Sequence, residues 1–289
     1  MRIGVDSYSY HRLFGECRPG EVLPALRFER GSLDVVAEAR ALELDAVALE
    51  TCYLPPPDHL DVDELRDAAG PLELVLSWGA PNGLEFGARE LGLRDLLEWL
   101  EVAERLGISL MRIVVAGPSF RGAEPVAAQI ERTVAPLAGA CERARELGVS
   151  LAVENHGDLT ARELGDLIAR VGDPAVGVCF DTANALRVGD DAVEAAALLA
   201  PLVRMVHLKD CEPLDGVVDP VAGPRSVAYG EGVVPLDSVL AALRAAGFDG
   251  LVCIEIAQLG ANDDERALVR SCLRWLRARA GAEVVQSRL

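Results

Sequence analysis

The sequence predicts an α/β fold, a single (β/α)8 TIM-type barrel domain covering residues 1–289. Three observations carry that prediction. Short runs rich in Val, Ile and Leu alternate along the chain with longer Ala/Leu/Glu/Arg segments of helical period. Eight such pairs in 289 residues give about 36 residues per unit, the size of a barrel repeat. The first apolar run leads into V-D-S-Y-S-Y-H-R-L-F, without the glycine-rich phosphate loop by which an open doubly wound sheet usually declares itself. No low-complexity linker divides the chain, so one domain is expected.

The strands are expected at 2–6 (R-I-G-V-D), 46–50 (A-V-A-L-E), 72–78 (L-E-L-V-L-S-W) and 110–116 (L-M-R-I-V-V-A). They continue at 150–155 (S-L-A-V-E-N), 176–181 (V-G-V-C-F-D), 203–209 (V-R-M-V-H-L-K) and 251–257 (L-V-C-I-E-I-A). Each is short and mostly apolar, as a parallel strand buried on both faces must be. Helices separate them, and three stop on a common device. E-R-L-G-I-S, R-E-L-G-V-S and R-A-A-G-F-D each place a glycine just before the next strand, where a left-handed residue ends a helix without a Cβ clash. Two connections are long: Cys52 to Asp61 with three prolines, and Cys211 to Pro235 with four glycines. Both are candidate lids over the barrel mouth.

Composition narrows the function before any motif is read. A chain that is 51% hydrophobic and 26% charged is globular, soluble and able to bury a large core, and 4% aromatics leave little for stacking on nucleic acid. The net charge of −18 argues against a nucleic-acid partner, since an acidic surface repels phosphates and gains nothing from counterion release. The N-terminal residues lack a secretory signal and no apolar run is long enough to span a bilayer, so a cytoplasmic location and no membrane partner are expected. The seven cysteines include no C-x-x-C pair and read mostly as small core residues.

Barrel enzymes work at the C-terminal ends of their strands, which makes the polar residues there the candidate site. Glu154 closes the fifth strand, Asp181 the sixth, His207 the seventh and Glu255 the eighth. A lone carboxylate at a strand end is commonly a helix cap or a rim charge. Three converging with an imidazole repel one another unless a cation neutralises them, and oxygen-dominated donors suit Mn2+, Mg2+ or Co2+ better than a structural zinc. One divalent ion, Mn2+ ahead of Mg2+ or Co2+, is the expected cofactor.

The motifs V-E-N-H-G, C-F-D-T-A-N, V-H-L-K-D and G-F-D-G-L-V-C-I-E resemble those of the xylose-isomerase-like TIM-barrel superfamily, and the resemblance runs over residues 1 to 260. That superfamily includes sugar isomerases, ketose 3-epimerases and endonuclease IV. Resemblance to the epimerase branch implies that Glu154, Asp181, His207 and Glu255 bind one metal, with Glu154 and Glu255 also moving the proton. The chain departs from that branch at Asn184, where the motif often carries a histidine; Asn184 is kept as a candidate substrate contact. The endonuclease branch resembles a histidine-rich multi-zinc site, whereas this chain has only His11, His59, His156 and His207.

Strand parity puts His156 on the face of Glu154 and Lys209 on the face of His207, with Asn155 turned away. His156 is a candidate acid/base, because an imidazole with an ordinary pKa of ~6.5 carries a proton either way; the alternative is a prop hydrogen-bonded to Glu154. Lys209 is a candidate oxyanion partner or an ion-pair partner of Asp210 or Glu212. Arg225 is a candidate clamp on a substrate oxygen or a solvated loop charge. Asp6, Tyr8 and His11 after the first strand, Glu50 after the second and Trp78 after the third are candidate walls of a carbohydrate pocket. For Trp78 the alternative is a core aromatic, and for Glu50 a hydrogen bond to its own loop.

The arrangement supports enolisation: a metal-bound carbonyl and hydroxyl, with a carboxylate or His156 removing the neighbouring C–H proton. Return of that proton makes a sugar isomerase or epimerase, either a ketose 3-epimerase or an aldose–ketose isomerase. Loss of a group from the adjacent carbon makes a lyase. G-V-D-S-Y-S-Y-H-R-L-F-G-E-C-R-P-G-E and A-L-E-T-C-Y-L are similar to the α subunits of bacterial C-glycoside deglycosidases, a branch of the same superfamily. That resemblance implies 3-oxo-glycoside substrates, C–C cleavage and a smaller β subunit as partner; a homo-oligomer is the other expectation. A third reading is a non-catalytic scaffold barrel.

Overall fold

The computed structural model describes residues 1–214 and 223–286. Eight parallel strands close into a barrel in sequence order. They are β1 (Arg2–Asp6), β2 (Ala46–Glu50), β3 (Glu73–Trp78), β4 (Leu110–Ile113), β5 (Ser150–Glu154), β6 (Val176–Asp181), β7 (Val203–Leu208) and β8 (Leu251–Ile254). The helices between and after them are α1 (Ser32–Ala41), α2 (Val62–Ala69), α3 (Glu90–Leu106), α4 (Val126–Glu146), α5 (Ala161–Val171), α6 (Asn184–Arg187), α7 (Ala192–Leu199), α8 (Leu236–Ala245) and α9 (Glu265–Gln286).

The strands lie where the sequence places them, with β3 starting one residue late, β5 and β7 ending one residue early, and β4 and β8 each ending three residues early. At that end the backbone leaves the sheet, although pairing outlasts the strand by one residue. The Val114 amide reaches the Trp78 carbonyl, and the Glu255 amide reaches that of Leu208. Gly107, Gly148 and Gly247, the expected helix stops, all have positive φ, at 74°, 70° and 88°.

Alternation along the strands sorts the residues into two cores. Outward residues such as Leu49, Leu76, Val153, Phe180 and Val206 join helix residues including Leu96, Leu137, Leu164 and Leu240 in the larger cluster. Each large aliphatic side chain buried there contributes roughly 1.5–3 kcal/mol. Inward residues form a separate lumen core, mostly small: Ala46, Ala48, Val75, Leu110, Ala152, Cys179, Met205, Leu251 and Cys253. Gly4 belongs to it, since a Cβ there would stand 3.0 Å from both the Ala46 carbonyl and Cys253 Sγ.

Continuing the inward register to the C-terminal rim reaches Asp6, Glu50, Ser77, Arg112, Glu154, Asp181, His207, Lys209 and Glu255, every one of them buried. Below the rim the lumen is apolar. The polar chemistry is therefore confined to one end. Asp210 folds the second long connection back over this end, accepting amide hydrogens from Cys211, Gly230, Gly232 and Val234 at 3.0, 2.9, 3.0 and 3.1 Å. Gly232 is required there, because a Cβ would stand 2.1 Å from Asp210 Oδ1. Residues 215–222 of that connection, the centre of one expected lid, lie outside the described residues. Among the described residues no helix is long and apolar enough to cross a membrane.

Candidate active site

Glu154, Asp181 and His207 end or nearly end three successive strands, and Glu255 stands one residue beyond the fourth. Each offers one ligand atom, and the four atoms all lie within 4.8 Å of one another. His207 Nδ1 is 2.7 Å from Glu255 Oε2 and 3.7 Å from Glu154 Oε2, so Nδ1 is the nitrogen that faces the other donors. Its Nε2 is backed by Asp6 Oδ2 at 3.6 Å, the carboxylate-behind-imidazole arrangement that orients a metal-binding histidine. Asp6 is itself fixed by the Tyr8 amide at 2.7 Å and the Ser77 hydroxyl at 2.8 Å. It stands behind His207 and forms no wall of the pocket.

The donor set fits one hard divalent cation. Asp181 accepts the Ala183 and Asn184 amides on Oδ1, which leaves Oδ2 to the site. Glu154 Oε2, Asp181 Oδ2, Glu255 Oε2 and both His207 nitrogens are buried with ionic contacts but no hydrogen-bond partner. Cys179 also lies within reach of Glu154 and His207. Burial pushes its thiol up to about 11, against the pull of His207.

The chain supplies two counter-charges of its own. Arg112, inward on β4, reaches Glu50 Oε1 at 2.9 Å and Glu154 Oε2 at 2.5 Å. Lys209 Nζ lies 2.7 Å from Asp181 Oδ2 and 3.1 Å from Glu255 Oε1, and so pairs with rim carboxylates in place of Asp210 or Glu212. Burial pushes the Glu154 carboxyl up to about 7, against the pull of Arg112 and His207. Burial also drives Glu50 well above the usual range despite Arg112, with Asp6 adding to the rise. For Glu255, burial is outweighed by Lys209 and His207, which hold it well below.

A cavity of about 390 Å3 opens onto these groups. Of the expected site residues, Tyr8, Glu50, His156, Asn184, Lys209 and Glu255 line it. His156 makes no hydrogen bond to Glu154; its backbone amide donates to Asp158 Oδ1 at 3.1 Å, and Nδ1 is buried without a partner. Burial and the charges of Arg112, Arg187 and Lys209 hold its pKa well below the usual range, so the imidazole is neutral. Asn155 turns away as parity requires and brackets β5 to β6, giving 2.8 Å to the Asp181 carbonyl and taking 2.7 Å from its amide. Asn184 donates to Glu154 Oε1 at 3.0 Å, which ties it to one of the four candidate donors.

Three expected contacts are corrected. Trp78 shares the outward parity of Leu74 and Leu76, packs in the helix-facing core and donates to Asp95 Oδ2 at 2.6 Å. His11 is fully buried against Glu21 at 2.9 Å, stacked with Tyr8 at 5.2 Å and absent from the cavity lining. Arg225 is exposed and held by Asp263 and Glu212, both at 2.7 Å. Glu50 bonds Arg112 and not its own loop. Of the first long connection only Cys52 reaches the cavity. Sequence reasoning missed Arg112, although a lone arginine inside L-M-R-I-V-V-A was its signal. It also missed Glu16 and Arg18, in the connection after β1, and Arg187, the last residue of α6.

The sequence matches the family described as xylose isomerase-like TIM barrel over residues 36–279. A protein of Actinoplanes sp. named 2-epi-5-epi-valiolone 7-phosphate 2-epimerase is 31% identical over 219 residues, which cover 75% of each chain. Among solved structures, D-psicose 3-epimerase in the presence of D-fructose superposes with a TM-score of 0.73 at 19% identity, covering 96% of this chain and 98% of that one. The IolI protein with a bound zinc atom gives 0.71 at 16% identity, covering 95% and 96%. At these identities the two structures speak to the fold alone.

Proposed function

The chain belongs to the xylose isomerase-like TIM barrel family, and from that premise we propose that it is a divalent-metal-dependent sugar epimerase or isomerase working by enolisation. One observation carries the reading: four metal-type donors from four successive rim positions converge beside a neutral imidazole that faces the same cavity. The epimerase named among its relatives supports the reaction class.

Glu154, Asp181, His207 and Glu255 would hold the ion, with Mn2+ ahead of Mg2+ or Co2+. A bound divalent ion supplies Lewis-acid polarisation of a carbonyl oxygen. The His156 imidazole, on the cavity wall, takes the proton from the carbon next to that carbonyl. Glu154, its carboxyl raised to about 7 by burial, delivers a proton to the opposite face for an epimer or to the neighbouring carbon for an isomer, and His156 gives up the proton it took to water, which resets the pair. Lys209 and Arg112 offset the negative charge that grows on oxygen as the proton leaves. Tyr8, Glu50 and Asn184 bound the space in which the sugar sits. The reading implies a cytoplasmic enzyme of small-molecule substrates.

A second reading is favoured by the cavity's apolar wall of Ala80, Pro81, Pro118, Pro224 and Ala257, which suits an aromatic group better than sugar hydroxyls. On a 3-oxo-glycoside the same enolate would expel the aglycone and cleave a C–C bond, with a smaller β subunit as partner. The test is incubation of the Mn2+-loaded chain in D2O with free ketoses or a 3-oxo-C-glucoside, followed by NMR. Deuterium next to the carbonyl together with a new epimer or isomer supports the first reading, and aglycone release dependent on a β subunit replaces it with the second. A chain that binds no stoichiometric ion and exchanges no proton is a scaffold, and both enzyme readings fall.

A further inference from the structure

Of the 28 lysines and arginines in the sequence, 27 are arginines and one is a lysine, Lys209. Arginine serves exposed helix pairs such as Arg30 with Asp34 and Arg170 with Asp166, and also the buried pairs of Arg12 with Glu265 and Arg112 with Glu50. Only position 209 carries the compact ammonium in place of the planar guanidinium. That residue is 6% exposed and lines the cavity.

The backbone of Lys209 is fixed. Its amide donates to Thr182 Oγ1 at 2.9 Å and its carbonyl accepts that hydroxyl at 2.7 Å, which staples it beside Asp181. The freedom left at this position lies in the flexible stem of the side chain. Asp181 Oδ1 takes the Ala183 and Asn184 amides at 2.9 and 2.8 Å, so Oδ2 is the oxygen that Asp181 offers to an ion. The ammonium stands on that atom at 2.7 Å, in an ionic contact without a directed hydrogen bond, and reaches Glu255 Oε1 at 3.1 Å. A divalent ion on the same oxygen stands about 2.1 Å away, which puts it within about 5 Å of the ammonium. Two positive charges that close, in a buried site where water screens little, repel. Arg112 has no such freedom, because Glu50 and Glu154 share its guanidinium.

We propose that Lys209 is an internal competitor for the ion: its ammonium stands in for divalent charge beside Asp181 and Glu255, and ion binding turns it off Asp181 Oδ2 into the cavity. The proposal rests on the metal-dependent reading, because it concerns the same donors. It couples the two parts of the site, since the ammonium is released to face a substrate oxygen only in a chain that has bound its ion.

With a single lysine in the chain, 15N labelling at lysine Nζ gives one side-chain resonance from the full-length protein. Titration with Mg2+, which is diamagnetic, is expected to move that resonance in step with occupancy. Calorimetry with Mn2+ supplies the affinities. Lys209→Met should bind Mn2+ about tenfold or more tighter than the parent, and Lys209→Arg, which keeps the charge, no tighter than the parent. Arg225→Met removes the same charge from an exposed pair outside the cavity and should stay within about twofold of the parent. Thermal melts show which variants fold; if Lys209→Met does not, the parent's resonance decides alone. An affinity unchanged or weakened in Lys209→Met, or a resonance that stays in place as the ion binds, overturns the competition and leaves the metal site standing. If neither the parent nor Lys209→Met binds an ion, the metal-dependent reading falls and the proposal with it. An ion bound by Lys209→Met and not by the parent is the competition at its strongest.

Discussion

The two halves of the barrel rim are built from similar residues and do different work. On β5 to β8, Glu154, Asp181, His207 and Glu255 send one atom each to a common point. On β1 to β4, Asp6, Glu50, Ser77 and Arg112 are spent on one another and on the other half. Asp6 holds the Ser77 hydroxyl and backs His207, while Glu50 holds Arg112. Glu50 and Glu154 make the contrast sharpest, since both are glutamates ending strands and both touch the same guanidinium. What separates them is position: Glu154 has three further donors beside it. A carboxylate at a strand end therefore says little by itself, and its neighbours decide whether it is a ligand or a counter-charge.

The largest expected effect tests that contrast directly. Glu154→Gln should lower bound Mn2+ from about one ion per chain to below about a tenth, an affinity loss of roughly 100-fold or more, while Glu50→Gln should leave metal content near that of the parent. Elemental analysis of the dialysed proteins checks both. Equal metal loss in the two variants would mean that the halves are not distinct.

Arg112 joins the halves, and its removal is the next largest effect. Arg112→Met leaves Glu50 and Glu154 facing each other in a buried site without their shared cation, a change expected to cost about 3–5 kcal/mol by urea denaturation. Adding Glu50→Gln should recover part of that loss, because the stranded charge is then gone. If the double variant is no more stable than Arg112→Met alone, the guanidinium serves Glu154 only and the link between the halves is not energetic.

The same contrast explains what the sequence disclosed. The strands and the rim residues after them were legible because an apolar run that ends on a polar residue is a local pattern with a period of two. That period also carried Asn155 away from the cavity and His156 and Lys209 towards it. For Trp78 it selects the core-aromatic alternative over the pocket wall, since Leu74, Leu76 and Trp78 share a face; position at the strand end is the weaker guide. His11 and Arg225 fail as substrate contacts for another reason, Arg225 taking its alternative of an exposed loop charge. Their partners, Glu21 and Asp263, lie on loops that only the tertiary fold brings near. Arg112 was hidden in the same way: its charge was visible inside an apolar run, but Glu50 and Glu154 sit on strands that no local pattern connects to it.

The smallest effect concerns a carboxylate on the ligand-bearing side that is not in the donor set. Asp158 follows Glu154 by four residues and accepts the His156 and Leu159 amides on Oδ1 at 3.1 and 2.9 Å, while its Oδ2 is buried without a hydrogen-bond partner. Burial pushes its carboxyl up to about 7, against those amide bonds. A carboxyl raised in this way binds its proton more tightly in the fold than in the unfolded chain. Its stabilisation is full below the unfolded value and is lost as pH rises through about 7. Asp158→Asn keeps the Oδ1 acceptor and cannot ionise. It should be more stable than the parent near pH ~8 by on the order of 2 kcal/mol, with the gap closing towards pH ~4.5, as read from urea midpoints across that range. A parent and variant with the same slope would assign the pH dependence to the rim carboxylates, where Glu154 is also raised to about 7. Because Glu154 is one of the proposed ligands, metal loading should then flatten the slope. A slope that disappears with Asp158→Asn belongs to the turn that carries His156, and the ligand half keeps its charge state across the range.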